Sequence, residues 1–387
     1  MLTVLSIFGT RPEAIKMAPV VKELSNHATR VRSVVCVVAQ HREMLDQVLS
    51  LFEIKPDYDL NLMRPNQTLA QLTAKLFTGL DEVVTEVNPD WVLAQGDTTT
   101  VFVAAMIAFY RQVAFGHVEA GLRTGDRQRP FPEEINRRIA DMAASLYFAP
   151  TENARQALLR EGCPQRDIHV TGNTVVDALN DIATRPYDWT SGPLSGLPLD
   201  RRLVLITAHR REIFGQPFKE LCQAIRDLAG MFAKEEVHFI YPVHLNPNVQ
   251  RPVRETLSGL SNVSLLEPLD YLSLIHLMKR STLILTDSGG IQEEAPSLRV
   301  PALVMRDATE RPEGVEAGVV RLVGTQRCRI VKEAERLLRD PVARERMATG
   351  VNPYGDGKAA ARIVSILLEC PDATRSETAK SIRVASC

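Results

Sequence analysis

The stretch Met1–Pro19, MLTVLSIFGTRPEAIKMAP, joins a short apolar run to a tight turn and then to a helix. The run Thr3–Phe8 is rich in aliphatic residues and predicts a buried strand. Gly9 lies in the turn that follows, and Pro12 suits the first turn of a helix, where its missing N–H is no loss. Apolar spacing then predicts a helix over Glu13–Leu24. A strand that leads directly into a helix is the building unit of a parallel sheet.

The same alternation of strands and helices continues along the chain and restarts once. In the first half, strands are predicted at Val34–Ala39, Asp90–Gln95, Val113–Val118 and Leu146–Ala149, and helices at Glu43–Phe52, Thr68–Val87 and Thr99–Tyr110. After a stretch rich in Pro, Gly and Ser, strands are predicted at Arg202–Thr207, His238–Tyr241, Val263–Leu266, Leu283–Thr286 and Ala302–Met305. The pattern predicts an α/β protein with two doubly wound parallel sheets in tandem. The length of 387 residues agrees with two domains of roughly 150–200 residues each.

Composition excludes several classes of protein. The 47 acidic and 46 basic residues nearly cancel, with no long block of either sign, which argues against binding nucleic acid or a membrane surface. The six cysteines form no CxxC pair and share no spacing with histidines, so no metal site is expected. The N-terminus lacks the features of a signal peptide, and no segment approaches ~20 apolar residues. We therefore expect a cytoplasmic protein without a membrane span.

Unusual polar residues follow the predicted strands in both halves. They are Arg11, Gln40, His41, Asp97 and Glu119 in the first half, and His209, His244 and Ser288–Gly290 in the second. Ligands of open α/β sheets bind at the carboxyl ends of the strands. Each half therefore predicts a binding rim, and two such rims that face each other would form a cleft.

The segment Asp287–Ala295, DSGGIQEEA, predicts a glycine-rich turn between a strand and a helix. Gly289 and Gly290 would let backbone N–H groups approach a phosphate at the start of the helix. Glu294 lies one turn further on, where its carboxylate could accept both hydroxyls of a ribose. The pattern is neither GxGxxG nor GxxxxGK[ST], which disfavours a dinucleotide or a Walker-type ATP site. The alternative is that Ser288 merely caps the helix.

Basic side chains near the first turn could bind a diphosphate. Arg11 and Lys16 both lie close to the strand–helix turn at Gly9, and an arginine can bind phosphate oxygens in bidentate fashion. The alternative for Arg11 is an ordinary surface arginine on a tight turn.

Three carboxylates in the first half are candidates for proton transfer. Asp97 lies in QGDTTT, Glu119 in HVEAGLRTGD and Glu133 in PFPEEINRR. Carboxylates beside an anionic ligand need a reason, and general-base catalysis on a weak carbon acid is one. In the alternative, Asp97 or Thr98 caps the next helix, while Glu133 complements the helix dipole with Arg137 as its i,i+4 partner.

Two histidines follow strands of the second half. His209, in AHRRE, could donate a hydrogen bond or a proton to a departing phosphate oxygen, because imidazole titrates near neutral pH. His244, in YPVHLNPNV, ends the neighbouring strand. For both, the alternative is a histidine that only caps a turn.

Taken together, these motifs resemble those of the bacterial non-hydrolysing UDP-N-acetylglucosamine 2-epimerases. The resemblance runs from about Leu2 to Leu368 and rests on eleven segments in order: GTRPEAIKMAP, AQHREMLDQVL, QGDTTT, HVEAGLRTGD, PEEINR, GNTVVDAL, HRRE, YPVHLNPNV, DSGGIQEEAPSL, RDATERPE and NPYGDGKAAARI. It implies a GT-B fold, in which two Rossmann-like domains face a central cleft. The domains would span residues 1–170 and 171–357, with a C-terminal helix, about 358–387, crossing back to the first. A homodimer without a cofactor is also implied.

The resemblance implies a reversible reaction between UDP-GlcNAc and UDP-ManNAc. A base removes the C2 proton while UDP departs from C1, which leaves bound 2-acetamidoglucal, and UDP then re-adds after a proton returns to the other face. The implied proton-transfer groups are Asp97, Glu119 and Glu133, with His209 at the departing phosphate. The implied UDP-sugar contacts are Arg11, Lys16, His209, Ser288, Gly289, Gly290, Glu294 and Arg311. The product would feed surface polysaccharide synthesis.

Some members of that family are activated by a second UDP-GlcNAc molecule bound beside the active site. The segments that form this second site would here contribute Gln40, Arg64, Arg210 and His244, with Glu133 nearby. Glu43 stands where activated members can carry glutamine.

Three other functions are compatible with these residues. A GT-B glycosyltransferase would use the same UDP-sugar cleft but would also need an acceptor site. A hydrolysing epimerase would release ManNAc and UDP because water reaches the glucal intermediate. A catalytically silent UDP-sugar-binding protein would not need His209 and the three carboxylates.

Overall fold

The computed structural model describes residues 1–38, 42–64 and 67–370. The chain forms two compact units, one made of Met1–Ala178 with the segment from Gly355 onward, and the other of Leu179–Tyr354. These divisions differ by a few residues from the predicted ones at 170 and 357. The segment after residue 170 stays with the first unit because the Thr171 N–H donates to the Ala149 carbonyl at 3.0 Å.

The first unit contains a seven-stranded parallel sheet. Its strands are β1 (Leu2–Phe8), β2 (Val31–Val37), β3 (Tyr58–Asp59), β4 (Trp91–Gln95), β5 (Ala114–Val118), β6 (Leu146–Ala149) and β7 (Ile168–Val170). They lie in the order β3-β2-β1-β4-β5-β6-β7. The central strands β4 and β5 are buried throughout, as expected when helices cover both faces.

The second unit contains a six-stranded parallel sheet. Its strands are β8 (Arg202–Thr207), β9 (Val237–Pro242), β10 (Val263–Leu266), β11 (Ser281–Thr286), β12 (Ala302–Val304) and β13 (Val320–Leu322), in the order β10-β9-β8-β11-β12-β13. The prediction of two doubly wound parallel sheets is confirmed. Three strands were not predicted, namely β3, β7 and β13, which have only two or three residues each and lie at sheet edges.

Fifteen α-helices connect these strands within the described residues. They are α1 (Arg11–Asn26), α2 (Arg42–Leu51), α3 (Leu69–Val87), α4 (Thr99–Tyr110), α5 (Glu133–Ala143), α6 (Glu152–Arg160), α7 (Thr174–Thr184), α8 (Gln216–Met231), α9 (Pro247–Leu257), α10 (Tyr271–Arg280), α11 (Gly289–Glu294), α12 (Pro312–Glu316), α13 (Arg327–Arg339), α14 (Pro341–Ala348) and α15 (Ala359–Glu369). Within the ranges that the structure describes, none of them is both long and apolar enough to cross a bilayer.

The C-terminal helix α15 belongs to the first unit, where it packs against α1. Its first turn is held by Asp177 of α7, which accepts from the N–H groups of Ala359 and Ala360 at 3.2 and 2.9 Å. A carboxylate at the start of a helix satisfies N–H groups that lack partners inside the helix and complements the dipole.

The strand order places a topological switch point in each sheet. It lies between β1 and β4 in the first unit and between β8 and β11 in the second. Neighbouring crossover helices diverge at such a point and leave a crevice at the carboxyl ends of the strands. The turns that leave β1, β4, β8 and β11 are therefore the places where ligand-binding side chains are expected.

Candidate active site

A buried glutamate shapes the turn that leaves β1. The Glu13 carboxylate accepts from the N–H groups of Gly9 and Thr10 at 2.8 and 2.7 Å, and the Thr98 hydroxyl also donates to it. Burial raises the pKa of Glu13. Gly9 is needed here because a Cβ atom at this position would lie 2.3 Å from Val38. The turn that carries Arg11 is thereby linked to the turn that follows β4.

Glu119 lies in the turn after β5 and is almost fully buried. Its backbone has φ of 66°, a left-handed conformation that costs of order 1–3 kcal/mol for a residue with a side chain and recurs at functional sites. Three donors converge on its carboxylate: Lys16 Nζ at 2.5 Å, Asn173 Nδ2 at 2.9 Å, and the Gln95 amide. Lys16 thus has a role that the sequence did not predict, which is to orient Glu119.

Asp97 lies in the turn after β4, beside the turn that carries Glu119. Gln95 pairs with Val118 in the sheet, so the chain leaves β4 and β5 side by side. The helix cap is Thr98, whose hydroxyl accepts from the N–H of Val101, so capping does not explain Asp97. Asp97 is instead held by α5.

Helix α5 provides donors and acceptors to both turns. Arg137 Nη2 donates to Asp97 Oδ2 at 2.5 Å, and the Asn136 amide donates to the Asp97 carbonyl at 3.0 Å. The buried Glu134 accepts from the N–H groups of Thr124 and Gly125, at 3.1 and 3.2 Å. Glu133 is the half-buried first residue of the same helix.

A buried histidine joins these elements. His117 Nδ1 lies 2.6 Å from Asp141 Oδ1, and His117 Nε2 lies 2.7 Å from the Gly96 carbonyl oxygen. The second oxygen of Asp141 accepts from the Gly121 N–H at 3.3 Å and from Arg123 Nη2 at 2.7 Å. The Asp141 carboxylate of α5 therefore binds the turn after β5 directly. It is linked to the turn after β4 through His117.

The geometry favours a doubly protonated His117. A carbonyl oxygen only accepts, so Nε2 must carry a hydrogen, and the guanidinium of Arg123 favours an ionised Asp141 that accepts from Nδ1. Burial by itself would lower the pKa of His117, but the Asp141 carboxylate outweighs it and the pKa is raised. Burial likewise works to raise the pKa of Asp141, but His117 and Arg123 hold it below its usual value.

In the second unit, His209 follows β8 and Asp287 follows the adjacent strand β11. Asp287 is fully buried, and its Oδ2 accepts from the N–H groups of His209 and Arg210 at 2.6 and 2.7 Å. The His209 ring stacks in parallel on His244, with 5.2 Å between ring centroids. An open cavity of about 320 Å³ lies beside these rings. It is lined by His209, Arg210, Arg211, Glu212, His244 and Asn246.

The glycine-rich turn after β11 lies beside two arginines. Ser288 occupies the N-cap position of α11 without a side-chain capping bond. A Cβ atom on Gly289 would lie 3.3 Å from the Arg311 guanidinium carbon and 3.4 Å from an Arg210 nitrogen, so glycine lets these side chains approach. Arg311 Nε donates to Glu293 at 2.8 Å.

Two further carboxylates complete this part of the second unit. Burial opposes the charge on Glu310, but the guanidinium groups of Arg311, Arg306 and Arg210 lower its pKa to about 2. Glu294 is buried and accepts from the Tyr271 hydroxyl at 3.0 Å.

Several predicted residues are not brought together within either unit. Gln40 and His41 lie outside the described residues. Arg64 lies at an exposed position of the first unit, whereas Arg210 and His244 line the cavity in the second. A larger cavity, of about 850 Å³, lies between α8 and α13 and is lined by none of the candidate residues.

No cluster of three or more histidine, cysteine, aspartate or glutamate side chains suited to a metal ion occurs in residues 1–38, 42–64 and 67–370. The chemistry of the described turns is that of carboxylates, guanidinium groups and imidazoles.

Comparison with known proteins shows which family this sequence matches. The sequence profile of a family described as UDP-N-acetylglucosamine 2-epimerase matches residues 22–368. The UDP-N-acetylglucosamine 2-epimerase of Salmonella typhimurium is 52% identical over 374 residues, which cover 95% of this chain and 98% of that protein.

Solved structures agree. The crystal structure of UDP-GlcNAc 2-epimerase from Neisseria meningitidis bound to UDP-GlcNAc is similar with a TM-score of 0.88 at 48% identity, covering 95% of this chain and 100% of that one. The Methanocaldococcus jannaschii UDP-GlcNAc 2-epimerase in complex with UDP-GlcNAc and UDP is similar with a TM-score of 0.80 at 33% identity, again over 95% and 100% of the two chains.

The charge on His117 predicts a specific pH dependence of stability. A histidine whose pKa is raised by folding stabilises the folded state below its unfolded pKa of about 6.5, and this contribution is lost as the pH rises through the raised value. The difference in free energy of unfolding between the wild type and His117→Gln should therefore shrink on going to alkaline pH, with a slope of up to about 1.4 kcal/mol per pH unit. Denaturant unfolding of the first unit can be followed through Trp91 fluorescence in a Trp189→Phe background.

His169→Gln, in β7 of the same unit, provides the matched control. Burial lowers the pKa of His169, so the wild type should gain stability relative to this variant as the pH rises from acid to neutral, which is the opposite sign. A His117→Gln difference that is independent of pH, or that grows toward alkaline pH, would contradict a pKa of His117 raised by folding.

Proposed function

The chain belongs to the UDP-N-acetylglucosamine 2-epimerase family, and on that premise we propose that it is an isomerase that interconverts UDP-GlcNAc and UDP-ManNAc without hydrolysis. The family resemblance drawn from the motifs is confirmed, as is the GT-B fold class. The observation that carries the proposed chemistry is the arrangement of Asp97 and Glu119 on adjoining turns, each oriented by several donors.

The proposed reaction is an elimination followed by a re-addition. The C2 proton passes to a carboxylate, a double bond forms between C1 and C2, and the electron pair of the C1–O bond leaves with UDP. A proton then returns to the opposite face of C2, and UDP attacks C1 again. Inversion needs acid–base groups on both faces of the sugar ring, and Asp97, Glu119 and Glu133 are the proposed set.

UDP binding is proposed to involve residues of both units. Arg11 and Lys16 come from the first unit, and His209, Ser288–Gly290, Glu294 and Arg311 from the second. Support comes from relatives: the Neisseria meningitidis protein was solved bound to UDP-GlcNAc, and the Methanocaldococcus jannaschii protein with UDP-GlcNAc and UDP. Arginines and N–H groups at a glycine-rich turn are suited to a diphosphate, and the buried Glu294 to ribose hydroxyls.

Regulation, location and pathway are further parts of the proposal. Activation by a second UDP-GlcNAc through Gln40, Arg64, Arg210 and His244 is one part of the proposal. A cytoplasmic location and use of the product in surface polysaccharide synthesis are the others.

The function is tested by following UDP-GlcNAc over time by proton NMR, without and with a sugar acceptor. An epimerase should approach a fixed ratio of UDP-GlcNAc to UDP-ManNAc with no free UDP. Accumulation of ManNAc and UDP would establish the hydrolysing reaction instead. Sugar transfer that depends on the acceptor would establish a glycosyltransferase, and an unchanged spectrum with retained binding would establish a silent binding protein.

The proposed reaction predicts that kcat depends on Asp97, Glu119 and Glu133. Asp97→Asn, Glu119→Gln and Glu133→Gln keep the shape of each side chain but remove its proton-transfer function, so kcat should fall by roughly 10²–10⁴-fold in each variant. Glu82→Gln, which changes an exposed glutamate on α3, is the control and should keep the wild-type kcat. Near-native turnover in all three variants would mean that these carboxylates only maintain structure.

We also propose that the enzyme is a homodimer that associates through α4 and α5. Phe109 and Tyr110 at the end of α4, and Met142 near the end of α5, are all exposed, with Phe109 63% and Met142 84% accessible. These two helices follow adjacent parallel strands and pack against each other, so their C-terminal ends lie close together. Exposed aromatic and methionine side chains concentrated in one area are typical of a protein interface.

The Phe109→Glu, Met142→Glu double variant should convert the dimer to a monomer of 43.0 kDa, measured by light scattering after size exclusion. Val342→Glu, which places the same charge at an exposed apolar residue of the second unit, should leave the dimer intact. A wild type that is already monomeric, or a double variant that stays dimeric, would contradict the assignment of this surface.

A further inference from the structure

Asp287 has a fully buried carboxylate whose two oxygens differ in their hydrogen bonding. Its Oδ2 accepts from the backbone N–H groups of His209 and Arg210. Its Oδ1 has no hydrogen-bond partner among the residues that the structure describes. That oxygen lies 3.6 Å from Nδ1 of His209.

A buried carboxylate oxygen without a hydrogen bond is energetically costly, because it has lost its contacts with water and gained none in return. A structural cap for two N–H groups needs only Oδ2, so it does not account for Oδ1. A separation of 3.6 Å is longer than a hydrogen bond but short enough for a small rotation of the imidazole to close it. The His209 side chain is 42% accessible and has room for this rotation.

The surroundings of His209 fix which ring atom faces which way. Nδ1 faces Asp287, and Nε2 lies on the far side of the ring. The parallel stacking on His244 holds the plane of the ring. The His244 Nδ1 accepts from the Asn246 N–H at 3.1 Å, which orients the ring on which His209 stacks.

We propose that Asp287 is the positioning residue for His209: its Oδ1 accepts a hydrogen bond from Nδ1–H and so directs Nε2–H at the departing phosphate oxygen. This inference rests on the proposed epimerase reaction. When the C1–O bond breaks, its electron pair goes to the phosphate oxygen, and Nε2–H stabilises that oxygen by a hydrogen bond without giving up its proton. Asp287 thus holds the backbone of His209 with one oxygen and its ring with the other.

Asp287→Asn separates the two roles. The amide oxygen can still accept from the N–H groups of His209 and Arg210, but the negative charge beside Nδ1 is lost. Removing a donor that stabilises developing charge lowers kcat by about 10²–10³-fold. We therefore expect kcat to fall by that factor in His209→Asn and by up to the same factor in Asp287→Asn. UDP affinity should change little in either variant, because the hydrogen bond matters most in the transition state.

The decisive comparison is the double variant. If Asp287 acts through His209, then Asp287→Asn should cost no further rate once His209 is already Asn, so the two effects are not additive. Asp270→Asn is the matched control, since Asp270 caps α10 by accepting from the Ser273 N–H and hydroxyl with no histidine involved, and it should keep wild-type kcat. Additive losses, or wild-type kcat in Asp287→Asn, would overturn the proposal.

A second measurement keeps the test independent of folding and of the reaction. In wild-type protein labelled with ¹⁵N only at its eight histidines, the His209 signals are identified by their absence in His209→Asn. With UDP bound at neutral pH, Nδ1 of His209 should be protonated, and an unprotonated Nδ1 would refute the dyad. Absence of wild-type turnover with UDP-GlcNAc would instead refute the proposed function, so the two failures are distinguishable.

Discussion

The contact between Asp141 and His117 is the interaction on which the first half of the candidate site depends. It lies in the interior, next to the strands that carry Asp97 and Glu119, and it ties their turns to α5. Buried ion pairs contribute little net stability because desolvation offsets much of their attraction. Their value here lies in geometry: each carboxylate oxygen and each ring nitrogen has at least one placed partner, so the two turns have little freedom relative to each other.

The same device recurs at other strand ends. Glu13 accepts from the N–H groups of the turn after β1, Asp141 from the turn after β5, and Asp287 from the turn after β8. In each case a buried carboxylate accepts backbone N–H groups next to residues proposed to bind or react. A site that moves protons needs fixed distances, and a buried carboxylate with several donors provides them better than an exposed side chain could.

Sequence was sufficient for the longer strands, which leave local patterns, but not for the short edge strands β3, β7 and β13. Apolar runs mark the central strands, and the capping-box pattern of Thr10 followed by Glu13 is a signal in the sequence for the role of Glu13. The roles of Glu134 and Asp141 were missed because polar residues on an amphipathic helix ordinarily face water, and only the tertiary fold buries them. The left-handed backbone conformation of Glu119 likewise could not be predicted from the sequence, because the surrounding structure imposes it.

The central claim is that the enzyme removes the C2 proton and returns another on the opposite face. The most direct test is to convert UDP-GlcNAc in D₂O and examine C2 of the UDP-ManNAc formed by NMR and mass spectrometry. The account predicts deuterium at C2 of the product, because a carboxylate that has taken the substrate proton exchanges it or leaves delivery to another group. Product that retains full protium at C2 would contradict it and would indicate direct transfer or a different chemistry.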